Sequence, residues 1–396
     1  MYHKLLAYSG ALAYGLPSRS IRVIGITGTK GKSTTTLMLV RMLEEAGHRV
    51  AMVGSLGYQI GNQSWPNTLK MTMPGRWKLQ KFLRQAVSAE CQYVVMEVPS
   101  EGLAQGRHLG VTFDTAVFLN IHPEHIESHG SYEAYRDAKR LLFQATQRLH
   151  VINTDSPEGE HLAHMPAQKV VTCGIDGGLI RATHVSFGAH DASFQVNAIP
   201  MKLRVGGRFN VANAITALAV AHEHGVSLAQ CAQALERLDE VPGRMQWIQT
   251  EPFGVVVDYA HTPESLEAVY QTLRPHALRL IAVLGSAGGG RDRWKRAKFG
   301  SIASQLCDVV ILTNEDPFDE NPDAIVDEIE SGMSGPARRQ RVMDRGEAIA
   351  RALTEAQNND IVVITGKGSE TSIAGPHGAR MPWSDAETAR SFLQRR

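Results

Sequence analysis

Short runs rich in valine and isoleucine alternate, over the first half of the chain, with stretches whose apolar residues recur at helical spacing. Ile21–Ile26, Val50–Val53, Tyr93–Val98, Phe113–Leu119 and the pair Val151, Ile152 read as buried strands. Such alternation predicts a mostly parallel sheet with helices on both faces. Between Ala182 and Val205 the pattern changes to short alternating segments, His184–Phe187, Ser193–Val196 and Lys202–Val205, which predict a small antiparallel patch. An alanine-rich helix follows, from Asn210 to about His224.

A second series begins after Pro242-Gly243, with strands expected at Val255–Asp258, Leu280–Leu284, Val309–Leu312, Arg341–Met343 and Ile361–Ile364, separated by helical patterns such as Glu264–Leu273 and Ala324–Glu330. The expected fold is α/β, as two doubly wound domains. Residues 1–242 form a P-loop domain with the antiparallel patch, and residues 243–396 a Rossmann-like C-terminal domain. No internal repeat or low-complexity tract interrupts them.

Composition narrows the partners. With 41 basic against 40 acidic side chains in 396 residues, the chain carries no field that would attract nucleic acid, so small-molecule partners are expected. The four cysteines, Cys91, Cys173, Cys231 and Cys307, are scattered through apolar runs without a CxxC pair and read as reduced core residues of a cytoplasmic protein. The apolar run Leu5–Leu16 after Lys4 resembles a short secretory segment, but cleavage there would fall just ahead of the first strand. No segment reaches the roughly 20 apolar residues of a membrane span.

Chemistry enters with Thr27-Gly28-Thr29-Lys30-Gly31-Lys32-Ser33, which lies between the strand Ile21–Ile26 and a helical pattern over Thr34–Ala46. A strand, a glycine loop and a helix make a phosphate cradle. The glycines let backbone N–H groups close on phosphate, the helix start adds positive potential, Lys32 reaches the β/γ-phosphates and Ser33 holds Mg²⁺. The loop is the shorter GxxGKS form, since Ile26 stands where a strict P-loop has its first glycine. Glu97, at the end of Tyr93–Val98, is where a Mg²⁺ ligand is expected, although a solvated strand-end carboxylate would look the same. Asn120-Ile121-His122-Pro123-Glu124-His125 leaves another strand end, and Lys139 lies on a helix predicted over Tyr132–Phe143. Zinc is a further reading of the histidines between 122 and 129, but no thiolate accompanies them.

In order along the chain stand GITGTKGKST, MEVPSEGL, NIHPEHIESHGSYEAYRDAKRLLF, GRFNVANAITALA, VPGRM, VVDYAHTPESL, GSAGGGRDRWKR, TNEDPFDENP and GKGSE. This series resembles the Mur ligases, most of all those that add the third residue of the cell-wall peptide, from Ile21 to the C-terminus. The resemblance implies an ATP-dependent, ADP-forming ligase, with residues 1–242 as the central ATP-binding domain and 243–396 as the C-terminal, amino-acid-binding domain. It implies an ATP site of Gly28, Thr29, Lys30, Gly31, Lys32, Ser33 and Thr34, with Asn210 and Asn213 near adenine, Arg244 near the phosphates and Asp258 at the ribose. Helix capping remains a plain alternative for Asn210. Two Mg²⁺ ions are implied, ligated by Ser33, Glu97, His125 and a carbamylated Lys139, and Lys32, Glu97, His125 and Lys139 form the implied catalytic set. The implied amino-acid pocket comprises Arg291, Glu315, Asp316, Phe318, Gly366 and Glu370, with an ordinary solvated loop charge as the plain alternative for each.

The implied reaction activates a muramoyl-peptide carboxylate as an acyl phosphate, which an amino acid's amine then attacks. Three departures from the family pattern qualify it. No room for the family's N-terminal UDP-sugar domain is expected ahead of Gly28; Lys30 replaces the usual loop asparagine, adding a positive charge beside the phosphates; and Phe318 replaces the arginine of ligases specific for meso-diaminopimelate, beside Asp319 and Glu320. The rival readings are a folylpolyglutamate-synthase-like ligase, whose loop normally carries GKGS, a P-loop ATPase motor or regulator, and an inactive ligase-like interaction subunit.

Overall fold

The computed structural model describes residues 2–68, 71–124, 126–290 and 292–395; His125 and Arg291, expected at the metal site and the amino-acid pocket, lie outside them. The chain forms two compact units, one of Met1–Phe187, Ala192–Arg204 and Arg208–Asp239, the other of Gly188–Asp191, Val205–Gly207 and Glu240–Arg396.

The first unit is built on a sheet of nine strands: β1 Arg22–Thr27, β2 Val50–Gly54, β3 Gly57–Ile60, β4 Gln63–Trp65, β5 Tyr93–Glu97, β6 Phe113–Phe118, β7 Thr146–Asn153, β8 Lys169–Gly174 and β9 Ile180–Arg181. Their spatial order is β4-β3-β2-β5-β1-β6-β7-β8-β9. All neighbours are parallel except β2 with β3 and β3 with β4. The central strands are buried on both faces, which is why they read as continuous apolar runs. The chain reverses its winding direction at β1, between β5 and β6, and there the carboxyl ends of three strands deliver loops to one place. A separate antiparallel sheet, β10 Thr183–Phe187, β11 Ala192–Val196 and β12 Ile199–Leu203, forms the expected patch.

The second unit holds β13 Gln246–Gln249, β14 Gly254–Asp258, β15 Leu280–Leu284, β16 Val309–Leu312, β17 Arg338–Arg341 and β18 Ile361–Thr365, in the order β13-β14-β18-β15-β16-β17. Within this sheet β13 runs antiparallel to its neighbour and the other pairs are parallel. The expected strand Arg341–Met343 is displaced to Arg338–Arg341. It is an edge strand whose arginines pair with acids of the helix Pro322–Glu330, Arg341 with Asp323 and Asp327 and Arg339 with Glu330, so its sequence carries no apolar signal. The run after Lys4 is a helix, Tyr2–Ala13, with Ala7 and Ala11 fully buried. Among the described residues no helix is long and apolar enough to cross a membrane. All four cysteines are buried and free.

Candidate active site

The nucleotide loop leaves β1 at Thr27 and enters the helix Lys32–Glu45 through Gly31, whose φ of +85° only glycine adopts without strain. A Cβ on Gly31 would also stand 2.1 Å from Asn213 Oδ1. Asn213 lies on the buried helix Arg208–Glu223 and donates to Asn210 Oδ1 at 3.2 Å. Asn210 is inside that helix, not at its cap, and both asparagines are buried, Asn213 against the loop at Gly31. Lys32 folds back onto the loop, donating to the carbonyls of Gly28 at 2.8 Å and Thr29 at 2.9 Å.

The loop after β6 is tied to the nucleotide loop. Thr29 N–H donates to the Asn120 carbonyl at 3.0 Å, Lys30 N–H to Asn120 Oδ1 at 2.9 Å, Asn120 Nδ2 to the Lys30 carbonyl at 3.1 Å, and His122 N–H to Thr29 Oγ1 at 2.9 Å. Lys30 Nζ pairs with Glu124 at 3.0 Å. The charge that Lys30 was expected to add beside the phosphates is therefore balanced by a buried carboxylate.

Lys139 comes from the helix Tyr132–Gln144, which starts at a Ser131 cap accepting from Ala134 N–H. Its position four residues after Tyr135 puts both on the buried face. The Lys139 ammonium donates to the Gly28 carbonyl at 3.0 Å and lies 4.5 Å from the Tyr135 ring centroid, while the Tyr135 hydroxyl shares a hydrogen with Thr29 Oγ1 at 2.7 Å. Burial above all, and then the nearby Lys32, hold Lys139 well below the usual lysine range against the opposing pull of Glu101 and Glu124. Lys139 is 2% exposed, so it is no surface lysine of an amphipathic helix. Tyr135 was not singled out by sequence, although its spacing from Lys139 carries the signal.

Glu97 pairs in register with Ile26 of β1, which brings its carboxylate to the loop. It is 1% exposed, accepts from Ser55 N–H at 2.7 Å and faces the Ser55 hydroxyl at 3.4 Å. Among the described residues no cationic side chain pairs with it. A buried carboxylate held by neutral donors fits a hard cation such as Mg²⁺, which accepts oxygen ligands of this kind. Ser33, next to Lys32 in the first turn, is buried as well. Among the described residues, histidines 122 and 129 join no group of three or more metal-ligating side chains.

In the second unit the carboxyl ends of β14, β18 and β16 supply the remaining expected residues. Asp258 accepts from Met245 and Ala260 N–H groups, each at 2.7 Å, and the Arg244 guanidinium lies 4.3 Å from the Tyr259 ring centroid. Tyr259 in turn donates to Glu370 at 3.0 Å. Fully buried Lys367 bridges Asp316 at 2.8 Å and Glu370 at 2.5 Å, so the two expected pocket acids are organised by a lysine that sequence reading passed over. Its signal was its place at a strand end in GKGSE, three residues before Glu370. Glu315 is pushed up to about 7 by burial, against Lys367 and Arg345. Gly366, at φ +107°, must be glycine, because a Cβ would stand 2.4 Å from Glu315 Oε2. Phe318 takes a left-handed φ of +53° and donates its N–H to the Ala374 carbonyl. Glu320 is held by Arg296 at 3.0 Å and by Gly290 N–H at 2.7 Å, whereas Asp319 beside Phe318 is exposed.

An open groove of about 850 Å³ lined by Arg22, Tyr93, Asp114 and Arg148 lies at the opposite, amino ends of β1, β5, β6 and β7. Ligands of doubly wound sheets bind at carboxyl strand ends, so the loop end is the candidate active site.

Residues 26–221 match the Mur ligase middle domain and residues 243–368 the Mur ligase, glutamate ligase domain. The chain is 36% identical to the UDP-N-acetylmuramoyl-L-alanyl-D-glutamate–2,6-diaminopimelate ligase of Geobacillus thermodenitrificans, over 90% of this chain and 76% of that one. The chain belongs to the Mur ligase family. It is 37% identical to the UDP-N-acetylmuramyl-tripeptide synthetase of Roseiflexus sp., over 98% of this chain and 81% of that one. A solved diaminopimelate ligase superposes with a TM-score of 0.66 at 32% identity, covering 95% and 78% of the two chains. The folylpolyglutamate synthase of Mycobacterium tuberculosis superposes with a TM-score of 0.75 over 92% of each chain, but at 18% identity this shows a shared fold alone. This Mur ligase is thus an ADP-forming ligase, and the motor reading falls away.

Proposed function

We propose that this Mur ligase joins an amino acid to the terminal carboxylate of a muramoyl peptide in peptidoglycan precursor synthesis. The observation that carries the reading is the meeting of the Lys32 loop, buried Glu97 and buried Lys139 at neighbouring strand ends. A carboxylate oxygen attacks the γ-phosphorus of ATP and ADP leaves. The amino acid's amine then attacks the acyl carbon of the acyl phosphate, phosphate departs and the amine loses a proton. The chemistry asks the protein mainly for positioning and charge neutralisation.

The loop N–H groups and Lys32 hold the β/γ-phosphates, and Asn210 and Asn213 line the adenine side. Ser33, Glu97, His125 and Lys139, the last as a carbamate, would hold two Mg²⁺ ions, which supply positive charge to the transferring phosphoryl group when bound. In the second unit Arg244 and Asp258 serve the nucleotide, while Arg291, Glu315, Asp316, Phe318, Gly366 and Glu370 serve the incoming amino acid, with Lys367 orienting two of the acids. Phe318 offers no guanidinium to a second carboxylate, so lysine, ornithine or a small neutral amino acid is favoured over meso-diaminopimelate.

The test pairs a panel of acceptors, UDP-linked and free muropeptides together with a folate-type acceptor, with the common amino acids. ADP release and product mass are followed together. Release that requires both a muropeptide and an amino acid is expected. ADP release independent of any acceptor, or product formed only on the folate compound, refutes the proposal.

A further inference from the structure

We propose that the Lys30–Glu124 ion pair is a positioning device that locks the nucleotide loop to the loop following β6, setting the shape of the phosphate cradle; this rests on the ligase reading above. The two loops already share several hydrogen bonds through Asn120 and His122. The 3.0 Å contact from Lys30 Nζ to Glu124 Oε1 extends the tie to the far end of the loop, next to His125 in sequence. Glu124's side chain is 5% exposed and Lys30's 21%, so solvent screens the pair poorly. Deleting either partner would leave a largely desolvated charge beside the cradle. The asparagine usual at position 30 in the family is two bonds shorter and lacks the charge, so the pair belongs to this chain's own solution.

A double-mutant cycle tests the coupling: Lys30→Asn, Glu124→Gln and the double variant, each with kcat, the KM for ATP and the melting temperature measured in parallel. Each single change is expected to raise the ATP KM at least ~10-fold, whereas the double variant, which removes both charges, returns to within about threefold of the unmutated protein. Lys30→Asn should be the worse, because it leaves Glu124 facing a polyanion. Glu124→Asp, which keeps the charge and shortens the reach, is expected to give an intermediate KM and guards against a single variant that does not fold. Additive effects on KM, coupling confined to the melting temperature, or a Glu124→Asp KM equal to that of the unmutated chain each overturn the inference. If the unmutated chain shows no acceptor-dependent ADP release, the ligase reading falls and takes this one with it; activity without coupling sinks only the ion-pair proposal.

Discussion

Replacing Lys139 by alanine separates a structural lysine from a carbamylated one. At its ordinary pKa near 10.4 a lysine holds only about one amine in a thousand neutral at pH 7.4, and each unit of lowering multiplies that fraction by ten. Only the neutral amine adds CO₂, and the addition expels a proton, so the site moves from one positive to one negative charge. Lys139 is placed for this: it is buried, its ammonium meets the Gly28 carbonyl and the Tyr135 ring face, and Lys32 opposes its positive charge. Removing one preorganised electrostatic group from an active site costs about 2.7–4 kcal/mol of transition-state stabilisation, so Lys139→Ala should lower kcat by about 10²- to 10³-fold. The KM for ATP should change less than about fivefold, because Lys32 and the loop N–H groups remain. Steady-state ADP release is measured in buffer stripped of CO₂ and again with bicarbonate, with a short carboxylate added to Lys139→Ala as rescue. Carbon-13 NMR of the unmutated protein under labelled CO₂ reads the carbamate directly. Full activity of Lys139→Ala in stripped buffer would refute the reasoning, as would an unmutated enzyme that ignores CO₂ and shows no labelled carbamate.

Three further outcomes are expected. Phe318→Arg should raise kcat/KM for meso-diaminopimelate relative to lysine by at least ~30-fold, since a buried second carboxylate without a partner costs on the order of 2–5 kcal/mol; a clear diaminopimelate preference in the unmutated protein would contradict this. His224 is held down to about 4 by burial, despite Asp114 at 3.5 Å, so its folded pKa lies below the unfolded one and the unfolded chain binds the extra proton as pH falls through 6.5 towards 4. The first unit should lose about 2 kcal/mol between pH 7.5 and 5 from this group, and His224→Gln should flatten that part of the slope in urea denaturation. The Arg345–Asp385 pair is buried and bidentate, at 2.8 and 2.7 Å, so Asp385→Asn should destabilise the second unit by about 3–5 kcal/mol, whereas Arg345→Met with Asp385→Leu should cost less; equal losses in thermal unfolding would show that the stranded charge is not the cause.

The doubly wound fold was legible because fully buried parallel strands announce themselves as unbroken apolar runs. β1, β5, β15 and β18 lie within a residue or two of where valine and isoleucine placed them. Polar strands were not legible. β17 is Arg-Arg-Gln-Arg, paired on one edge only and stabilised through charge, and β4 is exposed throughout, so neither carries the apolar signal on which strand prediction rests. At the site, the glycine loop was legible from its own residues, between a strand and a helix, whereas Lys139 stood out only through the resemblance, and the fold brings its ammonium to the Gly28 carbonyl. Lys30 and Glu320 show what a sequence leaves out. A charge in a sequence has a sign but no partner, and Glu124 and Arg296, far along the chain, decide what each charge does.

That lesson bears on how the cradle handles ATP. Lys30, Lys32 and Lys139 converge on a few residues of loop, an arrangement that is repulsive unless each charge is answered. The three answers differ in strength. Lys30 has a full carboxylate, whereas Lys32 and Lys139 donate to neutral carbonyls of Gly28 and Thr29. A triphosphate competes poorly for an ammonium already paired with a buried carboxylate and well for one held by carbonyl dipoles, since charge-assisted bonds are roughly twice as strong as neutral ones. Phosphate should therefore draw Lys32 off the loop and leave Lys30 in place, so that one lysine moves with the substrate while its neighbour two residues away keeps the loop anchored. Lys139 shares the Gly28 carbonyl with Lys32. Its conversion to a carbamate would remove the repulsion between the two ammonium groups and leave that carbonyl to Lys32 alone, so through this one backbone oxygen modification at 139 tightens the hold that phosphate has to break at 32.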